Sequence, residues 1–391
     1  MSTSGDRLSQ LLTSSGDIIE CVLRNLNYRE LCICCRVCRA WYSYGRLIAS
    51  RRRGLQSILV ARSMDETRND RWRSMAEHAQ LKNLLHSLPW HCQLMLTFCH
   101  LPLSRPCNGG HDLLAVRESM SPGLHIIGTH TSGVIGTDAS NATEELQNVK
   151  RDCLSALLLS DASRMELGFE TFNLSMDDYM KKIHDKDIST KEQIADVLSI
   201  GTEAPIRCLI LMAADYYTFD IPARVARLLQ SVYNDQPFAL VGGVSEVVFN
   251  VEPSAREVKH LGLTGVCLRG AHVRAASVVL ERDCHSQTAM RQQLVHLQER
   301  LRDQCHPRLY AMQFGIYFSC IERGKRMHNR PNVETSLFKQ VFGDVPLLGM
   351  FCLGEYGWDM PIDQQALAQQ EGVSMVLHAG SSCVLVVALL H

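Results

Sequence analysis

The stretch Arg36-Val37-Cys38-Arg39-Ala40-Trp41 separates two parts of the chain that differ in sequence pattern. Upstream of it, apolar residues recur at the spacing of an amphipathic helix. These residues are Ile18, Ile19, Val22, Leu23 and Leu26. Downstream, after a charge-dense segment, short apolar runs alternate with helical patterns up to the C-terminus. The stretch therefore closes a small helical module that precedes a larger mixed region.

The sequence predicts two helices in the N-terminal module. Ser14, Ser15 and Asp17 are candidate N-caps of the first helix, because their side-chain oxygens can accept the unpaired N–H groups of a first turn. The second helix is predicted to begin near Glu30 and to end near Trp41. A module of this length cannot bury its own apolar stripe, so we expect its surface to be completed by another protein.

Composition places the whole chain among ordinary globular proteins. Of its 391 residues, 46% are hydrophobic and 21% are charged, and the formal net charge is −1. This charge balance lacks the excess of basic residues typical of proteins that bind nucleic acid, so we expect no nucleic-acid partner. The first ten residues lack the apolar segment of a secretory signal. The longest late apolar run, residues 383–390, is far below the roughly 20 residues that span a membrane, so we expect no membrane partner either.

The sixteen cysteines predict a reducing compartment rather than a disulfide framework. Many of them, such as Cys153, Cys208 and Cys383, stand inside apolar runs, where a reduced thiol behaves as a small hydrophobic group. Disulfides are rare in the cytosol and nucleus. We therefore expect a cytoplasmic or nuclear protein, or one present in both compartments.

The cysteine cluster near the N-terminus does not have the pattern of a metal site. A structural zinc site needs four ligands that converge tetrahedrally. On one helix the side chains at these positions point around much of the circumference. The cluster comprises Cys32, Cys34, Cys35 and Cys38. We therefore expect no metal, and no motif in the chain indicates a cofactor.

Catalytic templates also fail to match. Residues 128–133 have the glycine spacing of a phosphate loop but lack the following Lys-Ser/Thr pair. Residues 243–247 resemble a nucleophile elbow without its closing glycine. We therefore expect a protein without catalytic activity of its own.

The downstream region is predicted to contain large sheets. Its strand candidates are residues 93–98, 124–128, 153–159, 206–213, 238–241, 262–269, 273–280, 312–320, 345–352 and 374–390, the last with a hairpin turn at 379–382. Its helix candidates are residues 75–88, 193–200, 223–233, 287–303 and 333–342. No repeat of 20–50 residues is visible. The predicted fold class is α+β or mixed, with a small all-helical module before a two-part mixed α/β region.

Residues 37–41, Val-Cys-Arg-Ala-Trp, resemble the most specific part of the F-box, and Glu30-Leu31 stands where that pattern has an acidic-leucine pair. The chain lacks the Leu-Pro with which the pattern opens. The resemblance implies binding to Skp1, and through Skp1 to cullin-1 and a RING protein. The positions that it marks as facing Skp1 or forming the module core are Ile19, Val22, Leu23, Leu26, Leu31, Val37, Cys38 and Trp41.

Two later phrases resemble FIST sensor domains. They are Cys320-Ile321-Glu322-Arg323-Gly324 and residues 345–351, which run into Gly354-Glu355-Tyr356-Gly357. The resemblances together imply a tail over 1–12, an F-box-like module over 13–53 and a charged linker over 54–74. They also imply a FIST N-like domain over 75–255 and a FIST C-like domain over 256–391.

The FIST-like phrases predict one candidate site at the ends of two strands. Its residues are Cys320, Arg323, Gly324, Gly354, Glu355 and Gly357. The resemblance implies a small-ligand pocket here, whereas an Arg323–Glu355 ion pair that joins two loops is the structural alternative. We also expect Cys320 to be more reactive than Cys267 or Cys383, because a nearby cation lowers the pKa of a thiol.

These resemblances define two functional hypotheses. The first is a substrate receptor of an Skp1–cullin–F-box ubiquitin ligase, which binds Skp1 through the N-terminal module and protein substrates through the FIST-like region. The second is a small-ligand sensor of FIST type with no role in ubiquitylation.

Overall fold

A computed structural model describes most of the chain. The described residues are 15–52, 54–61, 79–100, 123–147, 153–160, 168–184, 186–214, 220–233, 238–252, 259–359, 376–378 and 380–390. The predicted N-terminal tail, the charge-dense segment 64–73 and the candidate N-cap Ser14 lie outside these ranges. Within the ranges, no helix has both the length and the apolar character needed to cross a membrane.

The N-terminal module contains three helices, α1 (Gly16–Arg24), α2 (Tyr28–Cys34) and α3 (Arg39–Arg51). A capping box at Asn27 and Glu30 starts α2 earlier than the sequence predicted, because each side chain accepts a backbone N–H of the other residue. The chain leaves the helix after Cys34. The prediction of one helix from Glu30 to Trp41 was therefore wrong, and Trp41 belongs to α3.

The three helices enclose a very small core. Its fully buried members are Ile19, Leu23, Leu31 and Ile48. Trp41 is only partly buried and packs against this cluster. Four buried apolar side chains leave much of the apolar surface of the module outside its own core.

Arg52 and Tyr28 connect the module to the rest of the chain. The Arg52 guanidinium donates to the carbonyl oxygens of Leu23 and Arg24 at 3.1 and 2.7 Å, which satisfies the last turn of α1. It also donates to the Pro89 carbonyl at 2.6 Å, and the Tyr28 N–H donates to the Leu88 carbonyl at 2.9 Å. The module is thus hydrogen-bonded to the loop that leads into the first long strand.

The larger region divides into three successive units of six strands. The first has β1 (Leu55–Ala61), β2 (Cys92–His100), β3 (His125–His130), β4 (Gly133–Thr137), β5 (Thr143–Gln147) and β6 (Cys153–Ser160). The second has β7 (Gly168–Leu174), β8 (Ile206–Ala214), β9 (Ala239–Ser245), β10 (Val247–Val251), β11 (Lys259–Leu261) and β12 (Leu263–Arg269). The third has β13 (Val273–Leu280), β14 (Tyr310–Cys320), β15 (Leu347–Cys352), β16 (Glu355–Gly357), β17 (Val376–His378) and β18 (Ser382–Leu390).

Helices connect and cover these strands. They are α4 (Ala79–Ser87), α5 (Met176–Tyr179) with a π-helical continuation over Met180–His184, α6 (Lys191–Leu198), α7 (Asp220–Val232), α8 (Gln287–Gln304), α9 (Lys325–His328) and α10 (Val333–Phe342). α8 buries the apolar residues Leu294, Leu297 and Leu301 on one face. Its opposite face is polar.

The strands form three six-stranded sheets that share one order. Each sheet takes the first, sixth, second and third strands of one unit, followed by the fourth and fifth strands of another. The orders are β1-β6-β2-β3-β10-β11, β7-β12-β8-β9-β16-β17 and β13-β18-β14-β15-β4-β5. The exchange is cyclic, so every unit donates two strands to one neighbour and receives two from the other.

An equivalent glycine occurs in the third strand of every unit. Gly128, Gly242 and Gly349 stand opposite Thr97, Leu211 and Tyr317 in the three parallel strand pairs. A Cβ added at any of these glycines would overlap the carbonyl oxygen of the residue opposite. The close approach of the two backbones therefore requires glycine, and its recurrence supports a threefold repeat.

The predicted fold class is confirmed, namely a helical N-terminal module followed by a mixed α/β region with large sheets. Three details differ from expectation. Residues 55–61, which we expected to be linker, form β1 and pair with β6. The predicted terminal hairpin was wrong, because β17 and β18 belong to different sheets. The predicted boundary at 255/256 falls between β10 and β11, which pair with each other.

Candidate functional site

The first candidate site is an apolar surface on the N-terminal module. In the described part of the module, five large apolar or aromatic side chains remain exposed. They are Ile18 and Val22 at 39% exposure, Tyr42 at 54%, Ile33 at 60% and Val37 at 62%. We call this set the exposed apolar set. Exposed side chains of this kind on short amphipathic helices are typical of a helix-packing interface with a partner.

The residues that the F-box resemblance marked fall into three groups by exposure. Val22 and Val37 are exposed, whereas Ile19, Leu23 and Leu31 are buried in the module core. Leu26, Cys38 and Trp41 are intermediate in exposure. The sequence did not mark Ile33 and Tyr42. The position of Ile33 on the helix face opposite the buried Leu31 was the available signal.

The second candidate site lies where two parallel strands end. Cys320 closes β14 and stands beside Cys352, which closes β15. The chain then turns at Gly354 and enters a different sheet at Glu355. The carboxyl ends of parallel strands are where α/β folds commonly place their sites.

Arg323 does not pair with Glu355 as the structural alternative proposed. Its Nε donates to Oε1 of Glu334 at 2.8 Å, and both side chains are buried. Its Nη1 donates to the carbonyl oxygens of Glu281 and Gly380 at 3.2 and 3.3 Å. The expected ion pair is therefore corrected to Arg323–Glu334, which joins the end of β14 to the first turn of α10.

Glu334 is held by four side chains. Besides Arg323, it accepts hydrogen bonds from Tyr317 at 2.6 Å and Ser382 at 3.0 Å, and His328 Nε2 lies 3.0 Å from Oε1. Burial alone would raise the pKa of Glu334. The hydrogen bond from His328 and the charge of Arg323 outweigh burial and lower the pKa to about 2. Glu334 is therefore ionised throughout the physiological pH range.

Glu334 was not among the predicted site residues, although the sequence contains a signal for its burial. Leu337, Phe338 and Val341 follow Glu334 at helical spacing. Glu334 therefore occupies the face of α10 that these apolar residues define. A carboxylate at such a position is buried only when it is paired.

Glu355 lies among thiols rather than beside a cation. Its Oε1 accepts from the Cys352 thiol at 3.5 Å, and its Oε2 accepts from the backbone N–H of Ser381 at 3.3 Å. Burial raises the pKa of Glu355 to about 8, although the bonds from Cys352 and Ser381 favour the ionised form. The carboxyl group is therefore mostly protonated at neutral pH.

The expected reason for Cys320 reactivity is not present. Burial raises the pKa of Cys320, and the nearby Glu355 carboxyl raises it further, whereas the Arg323 charge is directed to Glu334. Cys320 nevertheless keeps 7% exposure, while Cys267 and Cys383 have none. A difference in reactivity would therefore follow from access to solvent and remains a prediction.

The remaining predicted residues of this site are also enclosed. Gly324, with φ of +61°, is the N-cap residue of α9, and Gly354 and Gly357 are buried. An added Cβ at Gly357 would lie 2.7 Å from the Cys383 sulfur. Within the described part of the chain, no group of three or more His, Cys, Asp or Glu side chains is arranged to hold a metal ion. The site forms an internal network whose polar groups bind one another.

Comparison with known proteins identifies two domains in the chain. Residues 16–47 match the F-box domain, and residues 213–358 match the FIST C domain. The chain therefore joins an F-box domain to a FIST C domain. It is 22% identical over 374 residues to F-box only protein 22 of Pongo abelii and of Homo sapiens, and each alignment covers 90% of this chain and 87% of the relative.

Proposed function

We propose that this chain is the substrate-recognition subunit of an Skp1–cullin–F-box ubiquitin ligase. In this role it binds Skp1 through the F-box domain and presents protein substrates through the three-sheet region. It carries out no chemistry itself. It raises the local concentration of substrate lysines near the ubiquitin-conjugating enzyme.

The proposal rests on the contrast between the few apolar residues buried in the F-box core and those exposed on its surface. The core has four fully buried apolar residues, whereas the exposed apolar set has five members. Burying an exposed aliphatic side chain contributes roughly 1.5–3 kcal/mol. A partner that covers this surface would therefore gain most of its affinity there.

The hydrogen bonds at the domain junction support a rigid presentation of the substrate. Arg52 binds both the end of α1 and the Pro89 carbonyl, and β1 follows α3 almost directly. The F-box and the sheets are therefore not separated by a long free linker. A substrate held by the sheets would keep a defined position relative to Skp1.

Affinity purification with mass spectrometry tests the proposal. The full chain should recover Skp1 and cullin-1 along with its substrates. The double variant Val22→Asp/Val37→Asp should lose Skp1 and cullin-1 together but keep proteins that bind the sheets. Equal recovery of Skp1 by wild type and variant would contradict the proposal, provided that both proteins show the same cooperative unfolding.

The sensor hypothesis predicts a different result. A small ligand of the site near Cys320 should raise the unfolding temperature by mass action, and recovery of Skp1 would not be required. The enclosed network around Arg323 and Glu334 favours a structural role for these residues. A thermal-shift screen with metabolites, together with the purification, distinguishes the two hypotheses.

A further inference from the structure

A cluster of free thiols lies on the F-box beside the exposed apolar set. Cys32 on α2 is exposed, and Cys34, Cys35 and Cys38 are partly exposed. The F-box pattern marks Cys38 as a residue that faces Skp1 or forms the module core. The proposed Skp1 contact gives no role to Cys32, Cys34 and Cys35. Partly exposed thiols in a group are open to oxidants and to one another.

The backbone brings Cys32 and Cys35 to one side of the helix end. They are three residues apart, a spacing that makes side chains neighbours on a helical surface. The N–H of Cys35 still donates to the carbonyl oxygen of Leu31 at 2.9 Å, and Cys35 keeps helical backbone angles. The helical spacing of the pair therefore extends to Cys35, one residue past the end of α2.

The Cys35 sulfur also forms part of the contact between α2 and α3. It occupies the space beside Gly45, where an added Cβ would overlap it. Leu31, one turn earlier on α2, reaches the same glycine, its Cδ1 lying 3.8 Å from that Cβ position. Cys35 thus touches the third helix on one side and is adjacent to the exposed Cys32 on the other.

We propose that Cys32 and Cys35 form a reversible disulfide when the chain meets hydrogen peroxide. The Cys32 thiolate attacks one peroxide oxygen, which gives a sulfenic acid at Cys32 and releases water after protonation. The Cys35 thiol then attacks the sulfenyl sulfur, and the sulfenic oxygen leaves as a second water. Two thiols are oxidised, one peroxide is reduced, and one sulfur–sulfur bond is formed.

This disulfide changes the docking surface, an effect that rests on the proposed function. Bonding to Cys32 draws the Cys35 sulfur away from Gly45 and removes a contact between α2 and α3. Ile33 lies between the two cysteines in sequence and Val37 lies two residues beyond Cys35, and both belong to the exposed apolar set. Oxidation should therefore weaken Skp1 binding at least about fivefold, the lower end of typical coupling between two sites.

Peptide mapping of the full chain tests the disulfide directly. After peroxide treatment and blocking of the remaining thiols with N-ethylmaleimide, trypsin releases residues 30–36, which contain Cys32, Cys34 and Cys35. This peptide should carry one label and lack two hydrogens, and dithiothreitol should reverse the change. Cys34→Ser should keep the disulfide and carry no label, whereas Cys32→Ser should carry two labels and no disulfide.

Three results would overturn the inference. They are three labels on wild type after peroxide, an internal disulfide that persists in Cys32→Ser, and a disulfide that joins two copies of the chain. The matched control is Cys21→Ser, which removes an exposed thiol of α1 and should leave the map unchanged. A disulfide that forms without weakening Skp1 binding overturns the effect on docking. Failure of the reduced chain to bind Skp1 counts against the proposed function and not against the disulfide.

Discussion

Arg323 and Glu334 form a buried ion pair with 2.8 Å between Nε and Oε1, and neither side chain is exposed by more than 3%. The pair joins the carboxyl end of β14 to the first turn of α10. Tyr317, Ser382 and His328 make the other hydrogen bonds of the carboxylate. The same region of the sequence predicted a ligand pocket, and the structure contains an internal network there.

Glu334→Gln should lower the free energy of unfolding by about 3–5 kcal/mol, because it leaves the Arg323 charge buried without a counter-charge. Chemical denaturation of the full chain measures this change. The control is Glu322→Gln, which alters an exposed carboxylate nearby and should change stability by about 0.5 kcal/mol or less. Equal effects of the two substitutions would show that the buried pair does not stabilise the fold.

Glu355 should make stability decrease as the pH rises through the neutral range. Its folded-state pKa is about 8, above the unfolded value of about 4.3, so between these values the folded state binds the additional proton. The free energy of unfolding therefore falls by up to about 1.4 kcal/mol per pH unit from pH 5 to 8. Glu355→Gln should remove this slope in denaturation measured at several pH values, and an unchanged slope would refute the assignment.

The ionisation of Glu334 affects stability in the opposite direction from that of Glu355 and in a separate pH range. Its pKa is lowered to about 2, so it contributes stability above the unfolded pKa of about 4.3 that is lost as the pH falls through 2. The pH dependence of the free energy of unfolding should therefore reflect the ionisation of Glu334 below pH 5 and that of Glu355 from pH 6 to 8. As the matching control, Glu334→Gln should lose the dependence of the free energy of unfolding on pH below pH 5.

Arg52→Met should destabilise the end of α1 and the junction with the sheets. The substitution removes the donors to the carbonyl oxygens of Leu23 and Pro89, and each bond to a charged group is worth about 1.5–3 kcal/mol. Hydrogen exchange of the α1 amides should become faster by at least about tenfold. Arg51→Met, at the exposed last position of α3, should leave exchange of the α1 amides nearly unchanged.

Cys320 should react with a mild electrophile before Cys267 and Cys383 do. The order follows from its 7% exposure against none for the other two, and the pKa of Cys267 is raised to about 12 by burial. Mass spectrometry after brief labelling measures the order, with the exposed Cys21 as the reference for a fast thiol. Labelling of Cys267 or Cys383 ahead of Cys320 would contradict the prediction.

The sequence predicted the central strands well because their apolar runs are long and end at turn residues. β13 was placed at its observed bounds, and β12, β14 and β15 within two residues of theirs. Strand pairing could not be predicted in the same way. β17 and β18 look like a hairpin in sequence, but a strand pattern does not determine which neighbour completes its ladder.

The missed elements also have physical reasons. β5 is short and contains two glutamates, so its pattern resembled a loop. The break between α2 and α3 contains no proline or glycine, which are the usual signals of a helix end. The threefold repeat escaped detection because each unit spans about 100 residues, as in 55–160 and 168–269, and the repeated glycines are isolated positions within unlike strands.

The affinity of purified Skp1 for the full chain tests the central claim most directly. The matched control is Met176→Asp, which places a charge on a side chain of the sheet region with 43% exposure, close to the 39% of Val22. Docking through the F-box predicts that wild type and Met176→Asp bind Skp1 with equal dissociation constants. It also predicts that Val22→Asp/Val37→Asp binds at least about thirtyfold more weakly, since even one hot-spot residue contributes about 2 kcal/mol. Equal binding by all three proteins, or no binding by wild type, would contradict the claim that this F-box docks onto Skp1.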